Sequence, residues 1–330
     1  MYKAFFNLTR NPFELTPDPD FLFSTRRHNE ALAALYYGVR RHKGFVVLTG
    51  EVGTGKTLLL RCLLQLFKQS KDIAYAYVFN SRLAPTEFLQ YVLSDLGLST
   101  SGKNKSELLL ELGQFLISRS SKKQTTVLIV DEAHHLSADI LEEVRLLTNL
   151  ETTDDKLLQI LLVGQPELDQ ILDSVGLRQL KQRIALRSHL DPLDADEIRG
   201  YIERRLQIAG LKTEPGALFP AATVAAVHRH SRGFPRLINT ICENALVTAY
   251  AKQMHSVTPE IIDGIADDFR LDVAQPPPAE SAKAMDEADV RRAARTLLEM
   301  FAALQDSASQ QPAPQDAEVR VPLTIRRREL

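Results

Sequence analysis

Gly50-Glu51-Val52-Gly53-Thr54-Gly55-Lys56-Thr57 sets glycines, a lysine and a hydroxyl at the spacing G-x-x-x-x-G-K-[ST]. That spacing cradles phosphate. The glycines let backbone N–H groups approach phosphate oxygens, and a helix start adds favourable dipole charge. Lys56 reaches the β- and γ-phosphates in such a loop, and the Thr57 hydroxyl is placed to bind Mg²⁺. Leu58, the next residue, completes the candidate nucleotide-binding segment 50–58. The second chemical feature is Asp131-Glu132, two carboxylates closing the run Val127-Leu128-Ile129-Val130. Asp131 is suited to hold Mg²⁺ directly or through water. Glu132, pointing elsewhere, can take a proton from an attacking water. Carrying both acids argues for hydrolysis rather than binding alone.

These residues need elements to position them. Phe45-Val46-Val47-Leu48 reads as a buried strand leading into the loop, and Leu58-Leu59-Leu60-Arg61-Cys62-Leu63-Leu64 as the helix leaving it. Strands are expected at 45–49, 73–79, 126–131, 157–163 and 184–190, alternating with helices, the first of them at 26–42. This alternation predicts a parallel sheet covered on both faces. Ligands of such sheets bind beyond the carboxyl ends of the strands, where Asp131 and Glu132 fall. After Pro192 the strand signals stop. Segments near 194–209, 219–231, 234–252 and 258–269 read as amphipathic helices. Thr258-Pro259-Glu260 is a helix start with Thr as cap and Pro at the first position.

The chain therefore divides into an irregular leader (1–25), an α/β nucleotide domain (26–191) and a small all-α domain (192–270). A Pro-rich linker follows at 271–283, with Pro276-Pro277-Pro278 at its centre. Val290, Ala294, Leu297, Phe301 and Leu304 form an apolar helical stripe within 284–306. The polar segment 307–330 is expected to be disordered.

Composition limits the alternatives. A net charge of −2 excludes a globally basic nucleic-acid binder. No apolar stretch approaches the ~18 residues of a membrane span. The start Met1-Tyr2-Lys3-Ala4-Phe5-Phe6-Asn7 lacks a signal peptide's apolar core, which makes the cytoplasm the expected compartment. Cys62 and Cys242 fall inside apolar helical patterns and read as core residues. His134 and His135 lack the partners of a metal site and read as helix-start residues.

The chain resembles the AAA+ ATPases of the ExeA (general secretion pathway protein A) type, a group that includes pilus- and exopolysaccharide-associated ATPases. The carriers are Pro12-Phe13 with Pro17-Asp18-Pro19, Gly50 to Thr57, and Asp131-Glu132-Ala133-His134. Leu146-Leu147-Thr148-Asn149-Leu150-Glu151-Thr152, Gly164-Gln165-Pro166-Glu167-Leu168 and Gly233-Phe234-Pro235-Arg236-Leu237-Ile238-Asn239 complete the set. The resemblance spans roughly residues 1–270. It implies a P-loop NTPase fold of the AAA+ type, an α/β parallel-sheet domain followed by a helical lid, and ATP with Mg²⁺ as ligands. It implies that Gln165 is the first sensor and Arg236 a second sensor gripping the γ-phosphate from the lid. Arg183, with Arg187 second, is the implied arginine finger for a neighbouring subunit, and Asn80 would restrain Glu132. Pro12, Phe13 and His28 are candidates for adenine contact, against a plain packing role. Longer members of the family continue into a transmembrane helix and a periplasmic peptidoglycan-binding domain; neither pattern occurs in this sequence.

The expected function is Mg²⁺-dependent ATP hydrolysis by a homo-oligomer acting on a protein partner in a cell-envelope secretion, pilus or polysaccharide-export assembly. Such a protein would be cytoplasmic, held peripherally at the inner membrane through its partner. The main alternative is a transposition or replication ATPase acting on DNA, using basic residues such as Arg199, Arg204, Arg205, Arg229 and Arg232. Their interleaving with Glu197 and Glu203 fits a solvated helix face better. A GTPase needs Asn-Lys-x-Asp after a strand. Asn104-Lys105-Ser106-Glu107 ends in Glu and lies in a polar loop.

Overall fold

A computed structural model describes residues 1–79, 83–153 and 155–271. Asn80, most of the linker, the 284–306 stripe and the 307–330 tail lie outside the described residues. Five strands form one parallel sheet in the order β2-β3-β4-β1-β5. They are β1 (Phe45–Gly50), β2 (Ile73–Val78), β3 (Thr125–Val130), β4 (Leu158–Gly164) and β5 (Ile184–Leu190). The helices before and between them are α1 (Tyr2–Phe5), α2 (Arg26–Arg40), α3 (Lys56–Gln69), α4 (Pro85–Asp95), α5 (Lys105–Ser121), α6 (Ala138–Leu147), α7 (Glu167–Leu172) and α8 (Arg178–Lys181). After β5 come only helices: α9 (Ala195–Ile208), α10 (Pro215–Leu218), α11 (Ala221–Ser231), α12 (Pro235–Ala251) and α13 (Pro259–Asp268).

The continuous apolar runs have a simple cause. Every residue of β1, β3 and β4 is buried, because helices cover both faces of the sheet. Phe45 and Val47 enter one core with Leu89, Leu112 and Val130, while Val46 and Leu48 enter the other with Leu35, Leu59 and Ile129. β1 lies between β4 and β5, and β4 lies between β1 and β3. Register pairs Thr49 with Gly164 and Val130 with Leu162. The loop after β1, the acids after β3 and Gln165 after β4 therefore emerge on one edge of the sheet.

The leader differs from its expected irregular form. Tyr2–Phe5 is helical, and Pro19–Phe21 makes a 3₁₀ turn capped by the Asp18 carboxylate, which accepts from the Asp20 N–H at 3.0 Å. Tyr2, Phe6, Leu8 and Phe13 enter the core of the helical bundle with Ile198, Ile241 and Cys242. Phe13 is fully buried and meets Phe219 edge-on. The Arg205 guanidinium fastens this segment. It donates to the Pro12 carbonyl and, at 2.9 Å, to the Tyr201 hydroxyl, between the rings of Phe21 and Tyr201. Proline punctuation suggested a loop, but apolar residues at irregular spacing can still supply one packed wall.

Gly233 marks where the bundle turns back toward the sheet. Its φ is +84°, and a Cβ there would lie 2.0 Å from the Leu193 carbonyl oxygen. Leu193 N–H in turn donates to the Gly233 carbonyl at 2.9 Å. Gly233→Ala should cost ~2–4 kcal/mol, combining left-handed strain with a backbone displacement. Chemical unfolding measures this, and a loss under ~0.5 kcal/mol, ordinary for a surface site, would contradict the packing described.

Candidate nucleotide site

The loop between β1 and α3 is shaped by its glycines. Gly53 and Gly55 have φ of +85° and +101°, and Gly55 is the residue at the start of α3. A Cβ on Gly53 would sit 2.8 Å from Arg236 Cβ, and the Arg236 N–H donates to the Gly53 carbonyl at 3.2 Å. The first residue triplet of α12 is thus seated on the loop. On the other side, His28 Nε2 donates to the Thr54 carbonyl at 3.1 Å, and its Nδ1 accepts from the Thr25 hydroxyl at 2.8 Å. Burial holds His28 below the usual histidine range, in keeping with a neutral ring in this tautomer.

Lys56 is 7% exposed, and its ammonium donates to the loop's own carbonyls, Gly50 O at 2.6 Å and Glu51 O at 2.9 Å. Burial pushes its pKa down, opposed by the nearby carboxylates of Glu132 and Asp131. A buried ammonium satisfied only by backbone carbonyls is a cation lacking an anion at bonding distance. A phosphate fits that lack.

Asp131 is nearly as buried, and its oxygens are both engaged. Oδ2 accepts from the Tyr77 hydroxyl at 2.7 Å and Oδ1 from the Glu132 N–H at 2.9 Å. Burial raises its pKa, and these two donors offset part of the rise. Glu132 has φ +51° and ψ +39°, a left-handed conformation unusual for a glutamate. Its Oε2 is buried with no hydrogen-bond donor. Among the described residues no group of three His, Cys, Asp or Glu side chains could hold a metal ion unaided. The Thr57 hydroxyl and the Asp131 carboxylate are the oxygen donors a magnesium would take here, its remaining ligands coming from phosphate and water.

A cavity of about 390 Å³ joins Lys56, Thr57 and Glu132, while Asp131 lies outside its lining. Val52, Gly53, Gly55, Lys56, Thr57 and Leu58 line it from the loop, Glu132 and Gln165 from the strand ends, and Arg236 from α12. Gly50, Glu51 and Thr54 stay behind as framework: Glu51 supplies a carbonyl to Lys56 and Thr54 Oγ1. The leader contributes a wall through Glu14 to Asp18, and the bundle another through Tyr201, Arg205 and Asn239. Pro12, Phe13 and His28 do not line it. Phe13 is the packing anchor, while the residues one to five positions later reach the cavity.

Arg183 and Arg187 are elsewhere. Ile184 pairs with Phe45 and Leu190 with Gly50, so Arg183 sits at the far end of the sheet from the loop. At ~3.3 Å per residue the stretch from Phe45 to Gly50 is about 17 Å. Arg183 donates to Thr148 Oγ1, and Arg187 pairs with Asp169 at 3.2 Å and Asp173 at 3.6 Å. The 3₁₀ turn Ala133–His135 carries His134, whose Nδ1 accepts the Gln165 N–H at 3.3 Å. Tyr77 and His134 were not singled out as site residues by sequence. The alternation Ala74-Tyr75-Ala76-Tyr77 was the available signal for the first, placing a phenol on one face near the strand end.

The chain is similar to known proteins in sequence and fold. Residues 39–172 match the family described as AAA domain. Over 258 residues the chain is 44% identical to general secretion pathway protein A of Aeromonas hydrophila. The chain belongs to the AAA+ ATPases. The match covers 78% of this chain and 46% of that protein, so the chain spans about half the length of its curated relative. The fold is also that of the Aeropyrum pernix ORC2 protein in its ADPNP-ADP complexes, with TM-score 0.59 at 20% identity, covering 78% of this chain and 71% of that one. Cdc6p from Pyrobaculum aerophilum matches with TM-score 0.56 at 18% identity, over 81% of this chain and 70% of the other. At these identities the likeness concerns the AAA+ fold alone.

Tyr77→Phe leaves the buried Asp131 Oδ2 without its donor. Stability should fall by ~1.5–3 kcal/mol, the worth of a hydrogen bond to a charged group, as read by urea unfolding at neutral pH. An unchanged unfolding midpoint would show that Asp131 does not depend on the phenol.

Proposed function

We propose that this AAA+ protein hydrolyses ATP in the 390 Å³ cavity and uses the cycle to move its helical bundle against the sheet. The observation that carries this reading is the convergence of Lys56, Glu132, Gln165 and Arg236 on one cavity bridging sheet and bundle. Lys56 exchanges the Gly50 and Glu51 carbonyls for phosphate oxygens. Mg²⁺ between Thr57 and Asp131 would neutralise phosphate charge when bound. Glu132 takes the proton of the attacking water, and Gln165 orients that water. Arg236 brings its guanidinium to the γ-phosphate, so that occupancy is read directly by α12 and by Gly53 beneath it. Among the described residues no helix is long and apolar enough to cross a membrane.

The similarity to general secretion pathway protein A supports work on a protein partner in a cell-envelope assembly, with the chain peripheral at the inner membrane through that partner. The competing use of DNA finds less support in the bundle. Arg205 is buried on the leader, and Arg229 is paired with Asp263. Two of the candidate basic residues are therefore already engaged. Glu132→Gln should bind ATP as the parent does and lose ~10²–10⁴-fold in turnover. Hydrolysis at the parent rate would remove Glu132 from the role of base.

The active form is proposed to be a homo-oligomer. Arg183 lies too far along its own sheet to serve its own cavity, which suits a finger for a neighbouring subunit, with Arg187 held in place by acids. Such fingers contribute ~10³–10⁵ in rate in related phosphoryl transfers. Specific activity should rise with protein concentration. Arg183→Ala should bind ATP and be inactive alone. Mixing it with Lys56→Ala, which keeps its finger, should restore part of the activity. Concentration-independent turnover without rescue would place completion of the site within one chain.

A further inference from the structure

Two buried polar atoms lack hydrogen-bond partners on neighbouring residues at the reaction end of the sheet: Glu132 Oε2 and His134 Nε2. Unpartnered buried polar atoms are few in folded proteins, and one on the proposed base with a second on a nearby ring calls for a cause. The His134 side chain is 6% exposed, and its Nδ1 lies 3.5 Å from Glu132 Oε2. The same Nδ1 accepts the backbone N–H of Gln165 at 3.3 Å. A neutral imidazole has one acceptor nitrogen and one donor. Since Nδ1 accepts, Nε2 carries the proton and meets no acceptor. Carboxylate and Nδ1 thus face each other as two acceptors with no proton between them. Burial, and then the neighbouring His135, hold the ring below the usual histidine range.

The ring has little freedom to evade this conflict. A Cβ on Gly164 would lie 3.2 Å from the His134 backbone nitrogen, so the turn is seated directly on the end of β4. We propose that His134 is a positioning residue that couples Glu132 to Gln165, one ring nitrogen serving the two in turn. This rests on the hydrolytic reading of the site. Before reaction, Nδ1 holds the Gln165 N–H and fixes the end of β4. In the reaction an O–H bond of the water breaks and its oxygen bonds to the γ-phosphorus. The bond from that phosphorus to the bridging oxygen breaks, and its electron pair leaves with ADP. The proton of the water passes to Glu132. The protonated carboxyl is then the donor that the pair lacked, and Nδ1 accepts from it in place of the Gln165 N–H. The protonation state of the base is passed in this way to the strand that borders the phosphate loop.

Steady-state ATPase assays and nucleotide titrations on His134→Ala, His134→Asn and His134→Gln test the coupling. Asn sets its amide oxygen near the Nδ1 position, whereas Gln sets its amide near Nε2. Loss of the ring should lower kcat by ~10–100-fold, the scale of a misplaced catalytic group, with ATP affinity held within about threefold. Asn should recover most of the loss, and Gln little of it. Parent-like kcat in His134→Ala, or rescue by Gln rather than Asn, would overturn the assignment while leaving Glu132 as base. Parent turnover that survives Glu132→Gln would instead overturn the underlying hydrolytic reading.

Discussion

The buried ammonium of Lys56 is the constraint around which the site is arranged. A cation at 7% exposure is costly unless it is paired, and here it rests on the Gly50 and Glu51 carbonyls. To reach them the chain must curl back over the end of β1, which the positive φ at Gly53 and Gly55 permits. The curl points the start of α3 at the cavity, and the two acids after β3 face the same cation. Burial lowers the affinity of Lys56 for its proton and raises that of Asp131, so each needs the other's field or an incoming ligand. The loop is satisfied as it stands, yet holds donors that a phosphate would satisfy better.

The same loop is where the two bodies of the protein meet. Arg236 sits against Gly53 with no room for a side chain between them. His28, from the helix ahead of the sheet, grips the next carbonyl, that of Thr54. The leader runs from the bundle core, where Phe13 and Arg205 anchor it, to the cavity wall at Glu14 to Asp18. Sheet, leader and bundle thus share one small space. A ligand that changes the loop bears on all of them, which is the physical basis for the proposed coupling of chemistry to movement.

The sheet was legible in the sequence because its signals are local. Runs such as Val127-Leu128-Ile129-Val130 announce strands buried on both faces, and β3 and β4 begin and end within one residue of expectation. The order of the strands, which brings β4 between β1 and β3, follows from crossover rules that leave no mark in composition. The leader was read as loop because Pro12, Pro17 and Pro19 dominate it, although Phe13 and Phe21 are buried. Tyr77 was not singled out, and His134 was read only as a helix-start residue, for a different reason. Their roles arise from contacts with Asp131 and Gln165, reached across strands or through a one-turn reversal, and no spacing rule encodes them.

The central claim is that this cavity binds ATP through Lys56. Calorimetric titration of ATP with Mg²⁺ into the parent and into Lys56→Ala tests it most directly. One site per chain is expected in the parent, with a loss of at least ~2 kcal/mol, roughly 30-fold in affinity, when the charged donor is removed. Equal affinity in the two proteins would place the nucleotide elsewhere and contradict the account.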